Sequence, residues 1–251
     1  MRLRVGVNLL WLVPGVVGGS EGYAVGLLQR LVERGDVEPT AFALPGLARA
    51  YPALTATLGT VTAPLPEGRH VVRRVLAENN WLPRQLRARR PAVVHHLGGI
   101  VPRSPVPSVV TLHDLQYLAY PQYFSLPKRR YLDMMQGRSL HRAQVVTTVS
   151  EFTRAQAIEH FALDPAKVVV VPPVVADRAA SDGVQQRVRE QFRLERDFIF
   201  YPAAMYPHKN HEVLLRAFAQ VAADRAVGAV SDVACIIDQR EEIFIALRAS
   251  E

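Results

Sequence analysis

The chain has 251 residues, 49% of them hydrophobic and 21% charged, with 30 Lys plus Arg against 23 Asp plus Glu and a formal net charge of +7. That balance excludes a disordered, collagenous or coiled-coil chain, and at roughly 100–200 residues per domain it leaves room for one large domain or two small ones. A single cysteine, Cys235, excludes an intrachain disulfide framework and a cysteine-based zinc site, and it fits a reducing compartment.

Met1–Arg4 and the apolar run behind it imitate a secretory signal. Asn8 and Pro14 interrupt the run, however, and no small-residue cleavage site precedes a change in composition. The segment Leu3–Leu9 reads instead as a buried strand. No stretch approaches the roughly 20 apolar residues of a membrane span, which points to a cytoplasmic protein with peripheral membrane contact as a candidate property. A Gly-rich loop, Pro14–Gly19, leads into a helix from Ser20, with Ala24, Leu27, Leu28, Leu31 and Val32 on one face. Ser20 is its expected cap and Gly35 its expected terminator. Val37–Leu44 is the next strand, and a βαβ unit of this kind calls for a parallel sheet.

Residues 45–90 are Pro-rich at first, then helical around Val71–Asn80 and Leu82–Arg89. Short apolar strands follow at Pro91–Leu97, Ser108–Leu112, Gln144–Val149 and Lys167–Val171, and Ser150 stands ready to cap a helix over Glu151–Phe161. Residues 1–173 therefore read as a doubly wound, Rossmann-like α/β domain with a parallel sheet. Residues 174–196 read as a charged linker with a short helix. A fresh strand at Asp197–Tyr201, a loop Pro202–Asn210 and a helix from about His211 open a second α/β domain, residues 197–251. That domain is incomplete, and its tail offers one apolar hint, Val233–Ile237.

Ligands in an open parallel sheet sit at the carboxyl ends of strands. Gly18 and Gly19 let the backbone approach a ligand ahead of a helix N-terminus, an arrangement suited to phosphate, although a plain tight turn reads the same way. His113, followed by Asp114, ends a strand where an imidazole can bond a sugar hydroxyl or donate to an anion, although a structural histidine satisfied within the fold reads the same way, and the segment alone slightly favours it. Ser150 opens the helix after the next strand, where simple capping also accounts for it. Lys209, with Asn210 as the expected cap, places a cation beside a helix N-terminus, a combination suited to a diphosphate. The neighbours His95 and His96 point to opposite faces of a strand and so cannot chelate a metal together. Two basic clusters complete the inventory. One has seven Arg between Arg69 and Arg90 with Glu78 the only acid; the other is Lys128, Arg129, Arg130, Arg138 and Arg142 around Asp133. They suit phosphate-bearing partners or a solvated helix face.

Gly18–Glu21, Thr111–Asp114, Val149–Thr153 and Tyr206–Asn210 occur in that order, and the set resembles the GT-B fold, family 4 retaining glycosyltransferases over about residues 1–222. The resemblance implies two Rossmann-like domains facing a cleft, the first for the acceptor and the second for an activated sugar. By that likeness Gly18, Gly19, Lys209 and Asn210 serve the donor diphosphate. His113 and Lys209 are the catalytic candidates, and Glu21, Asp114 and Ser150 are acceptor-side or sugar contacts. No metal and no cofactor are implied; a nucleotide-diphosphate sugar is the substrate. The implied partners are that donor and a glycan or lipid-linked acceptor, with Arg-rich segments as candidates for membrane contact and no nucleic acid.

The family's paired-glutamate signature is not found after Asn210, since Glu241 and Glu242 lie in another context. Ala203 and Ala204 stand where a basic partner of the lysine is common. The expectation is a chain truncated in its donor-binding domain, weakly active or inactive alone, with an uncovered strand edge. Alternatives are a non-catalytic acceptor-binding half that works with a partner chain, another GT-B enzyme such as a nucleotide-sugar epimerase, and a nucleic-acid binder. For the last, no recognition motif accompanies the arginines.

Overall fold

A computed structural model of the chain describes residues 2–66, 68, 70–173, 181–192, 198–203, 206–224, 232–237 and 243–248. Arg69, Asp197, Ala204, Glu241, Glu242 and most of the expected linker apart from one helix lie outside the described residues. The chain divides into two compact units, Met1–Val175 and Ala176–Glu251.

The first unit runs β1 (Leu3–Leu9), α1 (Gly19–Glu33), β2 (Val37–Ala43), α2 (Gly46–Ala50), α3 (Pro52–Thr57), β3 (Gly59–Thr62), α4 (Val71–Arg89) and β4 (Val93–His96). It continues with β5 (Ser108–Leu112), α5 (Gln116–Ala119), α6 (Leu126–Arg142), β6 (Val145–Thr148), α7 (Glu151–Phe161) and β7 (Val168–Val170). Its strands form one sheet in the order β3-β2-β1-β4-β5-β6-β7, every pair parallel. This is the doubly wound order, with the direction of winding reversing between β1 and β4, where such sheets open a ligand crevice. Val7, Leu9 and Ala41 are buried in one cluster with Leu28 of α1 and Leu54 of α3. Phe42 and Val94 join Leu82 and Leu86 of α4 in a second, and Val110 and Val146 join Leu140 and Phe161 in a third.

Several local expectations change. Gly18, not Ser20, precedes the first turn of α1, and no side chain caps it. The helix takes in Gly19 because Gly18 adopts φ 64° and ψ −139°, a turn that a side chain resists. Arg34, not Gly35, closes α1, in an extended conformation. The two expected helices of residues 71–89 are one, with Pro83 inside it. An internal proline costs about 3 kcal/mol, and full burial of Leu82 and Leu86 at about 1.5–3 kcal/mol each offsets that. Ser150 does cap α7, its Oγ accepting from the Thr153 N–H at 3.2 Å.

The second unit contains α8 (Asp182–Gln191), β8 (Phe198–Pro202), α9 (His211–Asp224), β9 (Asp232–Ile237) and β10 (Ile243–Arg248). Its three strands pair antiparallel in the order β8-β10-β9. One edge of β8 is paired by β10, because a second apolar run after Ile243 supplies a strand that the sequence does not mark, and β8 stays the outer strand of this sheet.

Candidate functional site

The end of β1, the start of α1 and the end of β5 meet at His113. Its Nε2 lies 2.8 Å from the Leu97 carbonyl oxygen, which can only accept, so Nε2 carries the proton and Nδ1 keeps its lone pair. Tyr23, in the second turn of α1, meets the imidazole edge-on at 5.3 Å, and Trp11 tilts over it at 6.3 Å. Trp11 in turn lies flat on Gly98, where a Cβ would come within 2.6 Å of the indole. Burial holds His113 below the ordinary imidazole range, opposed by its bond to Leu97 and by the charge of Asp114. It stands at neutral pH as an uncharged imidazole whose remaining nitrogen accepts. That suits a sugar hydroxyl and argues against donation to an anion.

A polar string supports this floor. His95 Nε2 bonds Thr111 Oγ1 at 2.8 Å, and Thr111 Oγ1 bonds Thr147 Oγ1 at 2.8 Å. Burial, with His113 close by, pushes His95 down to about 4. His96 faces the other side of the sheet, as alternation requires. There its Nδ1 lies 3.2 Å from Asn8 Nδ2, and burial lowers it to about 3. Among the described residues no group of three or more His, Cys, Asp or Glu side chains could hold a metal ion.

The remaining predicted residues fall into two groups. Gly18 and Gly19 form the turn into α1, and a Cβ on either meets nothing within 4 Å, so the space before them is open. Asp114 is exposed beside His113 and accepts from the Gln116 N–H at 3.3 Å. Ser150 sits at the carboxyl end of β6 and is engaged as the α7 cap. Glu21 is buried rather than presented: Oε2 accepts from the Gly15 N–H at 2.7 Å, and Oε1 accepts a short bond from the Tyr51 hydroxyl. It clamps the loop ahead of the glycines and so positions them. Trp11 and Tyr23 were absent from the sequence reading; Trp11's place just past the carboxyl end of β1 was the signal that could have found it.

Lys209 and Asn210 belong to the second unit. Pro207–Lys209 form a 3-10 turn, and Asn210 follows at φ 54°, left-handed, so that it ends this turn before α9 begins. The loop is tied at both ends. The Tyr201 hydroxyl donates to the Lys209 carbonyl at 2.9 Å, and His211 Nε2 donates to the Ala203 carbonyl at 3.1 Å. The Lys209 side chain is exposed.

The sequence profile of Glycosyltransferase Family 4 matches residues 17–178, and the chain belongs to that family. An O-antigen chain mannosyltransferase B of Escherichia coli is 28% identical over 118 residues, covering 44% of this chain and 30% of that protein. An Anabaena protein, HepE, crystallised with UDP and glucose, superposes with a TM-score of 0.56 at 14% identity over 88% of this chain and 58% of its own. A glycosyltransferase of Rickettsia africae superposes at 0.52 and 14% identity, over 88% and 57%. The chain thus spans less than two thirds of the length of each. Its fold is the Rossmann-like α/β architecture of GT-B glycosyltransferases.

Proposed function

We propose that the chain carries the acceptor side of a retaining glycosyltransferase, moving a hexosyl group from a nucleotide-diphosphate sugar to a glycan or lipid-linked acceptor. The observation that carries this reading is the neutral His113 just past β5, bonded to Leu97 after β4 and packed on Trp11 after β1, with Nδ1 left to accept, in the unit whose Gly18-Gly19 turn is open. In the mechanism that follows, His113 accepts from a hydroxyl of the reacting sugar and fixes its orientation. The amides at the start of α1 face the donor phosphates, where helix dipole and N–H groups favour negative charge. On the second unit, taken by itself, Lys209 beside Asn210 is a cation suited to a leaving diphosphate; stabilising charge that develops in the transition state is the largest expected contribution. No cofactor is assigned. Because no paired-glutamate signature follows Asn210, turnover by this chain alone is expected to be weak or absent.

Saturation-transfer NMR on the full chain with a panel of nucleotide-diphosphate sugars and simple glycosides tests the reading without requiring turnover. Sugar protons are expected to receive magnetisation, and His113→Ala is expected to weaken that signal while leaving the melting temperature within a few degrees. Transfer to no sugar at all, or transfer indifferent to His113→Ala, overturns it.

A further inference from the structure

Helix α4 is apolar along one stripe, and only part of the stripe is covered. In its second half Leu82 and Leu86 are fully buried. Over the first two turns Val71, Val72, Val75 and Leu76 are 57%, 73%, 37% and 57% exposed. At about 100° per residue these four span roughly 140° of the helix circumference, continuous with the buried stripe, and Arg73 and Arg74 flank them on either side. The charged residues exposed on the helix are all cationic. Arg73, Arg84, Arg87 and Arg89 are exposed, whereas the one acid, Glu78, is 6% exposed and faces Arg74 and Asn8.

We propose that the first two turns of α4 dock on an anionic lipid bilayer. The valines and Leu76 enter the boundary between headgroups and acyl chains, and the flanking arginines meet lipid phosphates. An exposed apolar face bordered by cations and neutral amides, here Asn79 and Asn80, fits an interfacial helix, and an anionic leaflet attracts each such cation. The charge complement suits an acidic partner: the helix itself exposes no carboxylate, since Glu78 is buried. A cavity of about 220 Å³, lined by Leu10, Val13, Leu65, Val71 and Arg74 among others, adjoins the same turn. Given the acceptor reading above, it lies where a lipid-linked acceptor would enter; the docking itself does not depend on that reading.

Co-sedimentation of the full chain with phosphatidylcholine vesicles, with and without phosphatidylglycerol, tests this. Binding is expected on the anionic vesicles and at least about tenfold weaker on the neutral ones, falling as salt rises through about 0.15 M. The double variant Val72→Asp/Leu76→Asp is expected to lose about tenfold or more of the anionic binding with an unchanged melting temperature, since both side chains are exposed. Val72→Ser/Leu76→Ser is expected to lose binding in the same direction should the aspartates perturb the helix. Failure to bind anionic vesicles at low salt overturns the proposal, as does binding that both double variants retain in full. A concentration-dependent dimer abolished by these variants, without vesicle binding, also overturns it and assigns the patch to a second copy. Vesicle binding without any sugar binding leaves the docking standing and removes the transfer reading.

Discussion

Gly18 and Gly19 are adjacent and have different duties. Gly18 holds φ 64° with open space around it, so Gly18→Ala strains the backbone without a clash. The expected cost is about 1–3 kcal/mol, visible in a urea midpoint. A Cβ on Gly19 also meets nothing, and its φ is ordinary. Gly19→Ala is expected to leave stability within about 0.5 kcal/mol. If phosphates approach this turn, the same variant weakens donor binding. The pair separates a glycine kept for the chain from one kept for the ligand, and equal effects on stability would remove the distinction. Glu21 illustrates what spacing cannot reveal. Its position in the motif suggests a sugar contact, but both oxygens are taken by Gly15 and by Tyr51, thirty residues away in sequence. The place of His113, by contrast, was legible: a histidine just past the carboxyl end of a β-branched run stands at that end of the sheet by strand geometry, whatever its role.

Elements with a strong period and a clean stop were readable, and those without were not. β1, β5 and α7 fall where apolar runs and a serine cap place them, because burial on both faces demands continuous Val, Ile and Leu. β3 was missed because it is four residues long at a sheet edge with no buried residue. Helix α6 was missed because its sequence is charged nearly all round and buries only Ser139 and Leu140. The cap offers a direct check. Ser150→Ala removes the acceptor for the Thr153 N–H and is expected to cost about 1 kcal/mol, measured as a shift in denaturation midpoint. Ser150→Asp is expected to hold or gain stability, because a carboxylate caps equally well and suits the positive end of the helix.

The first unit as a whole stores its acid sensitivity in three imidazoles, His95, His96 and, in the same direction, His113. His95 and His96 lie at about 4 and about 3, below an unfolded value near 6.5. Between those values the unfolded chain binds more protons, so stability is full above pH 7 and falls as pH drops through 6.5 toward 4. Glu78 acts in the opposite sense: burial raises its carboxyl above the usual range, so the folded state takes its proton first and gains stability on acidification. The imidazoles outnumber it, and a net loss of stability is expected between pH 7 and 4.5. Urea midpoints across that range check the sign, and His96→Gln is expected to flatten the decline.

The indole resting on Gly98 gives the crevice an optical gauge. Neutral imidazole leaves tryptophan emission intact, whereas an imidazolium quenches it, and Trp11 lies 6.3 Å from His113. Trp81, the other indole, packs 6.3 Å from Phe42 within the α4 cluster and contributes a steady background. Fluorescence followed through an acid titration therefore reads out protonation of His113 in place. A hydroxyl bound at Nδ1 displaces that titration to lower pH, so occupancy of the crevice becomes measurable in a cuvette, with no label and no turnover.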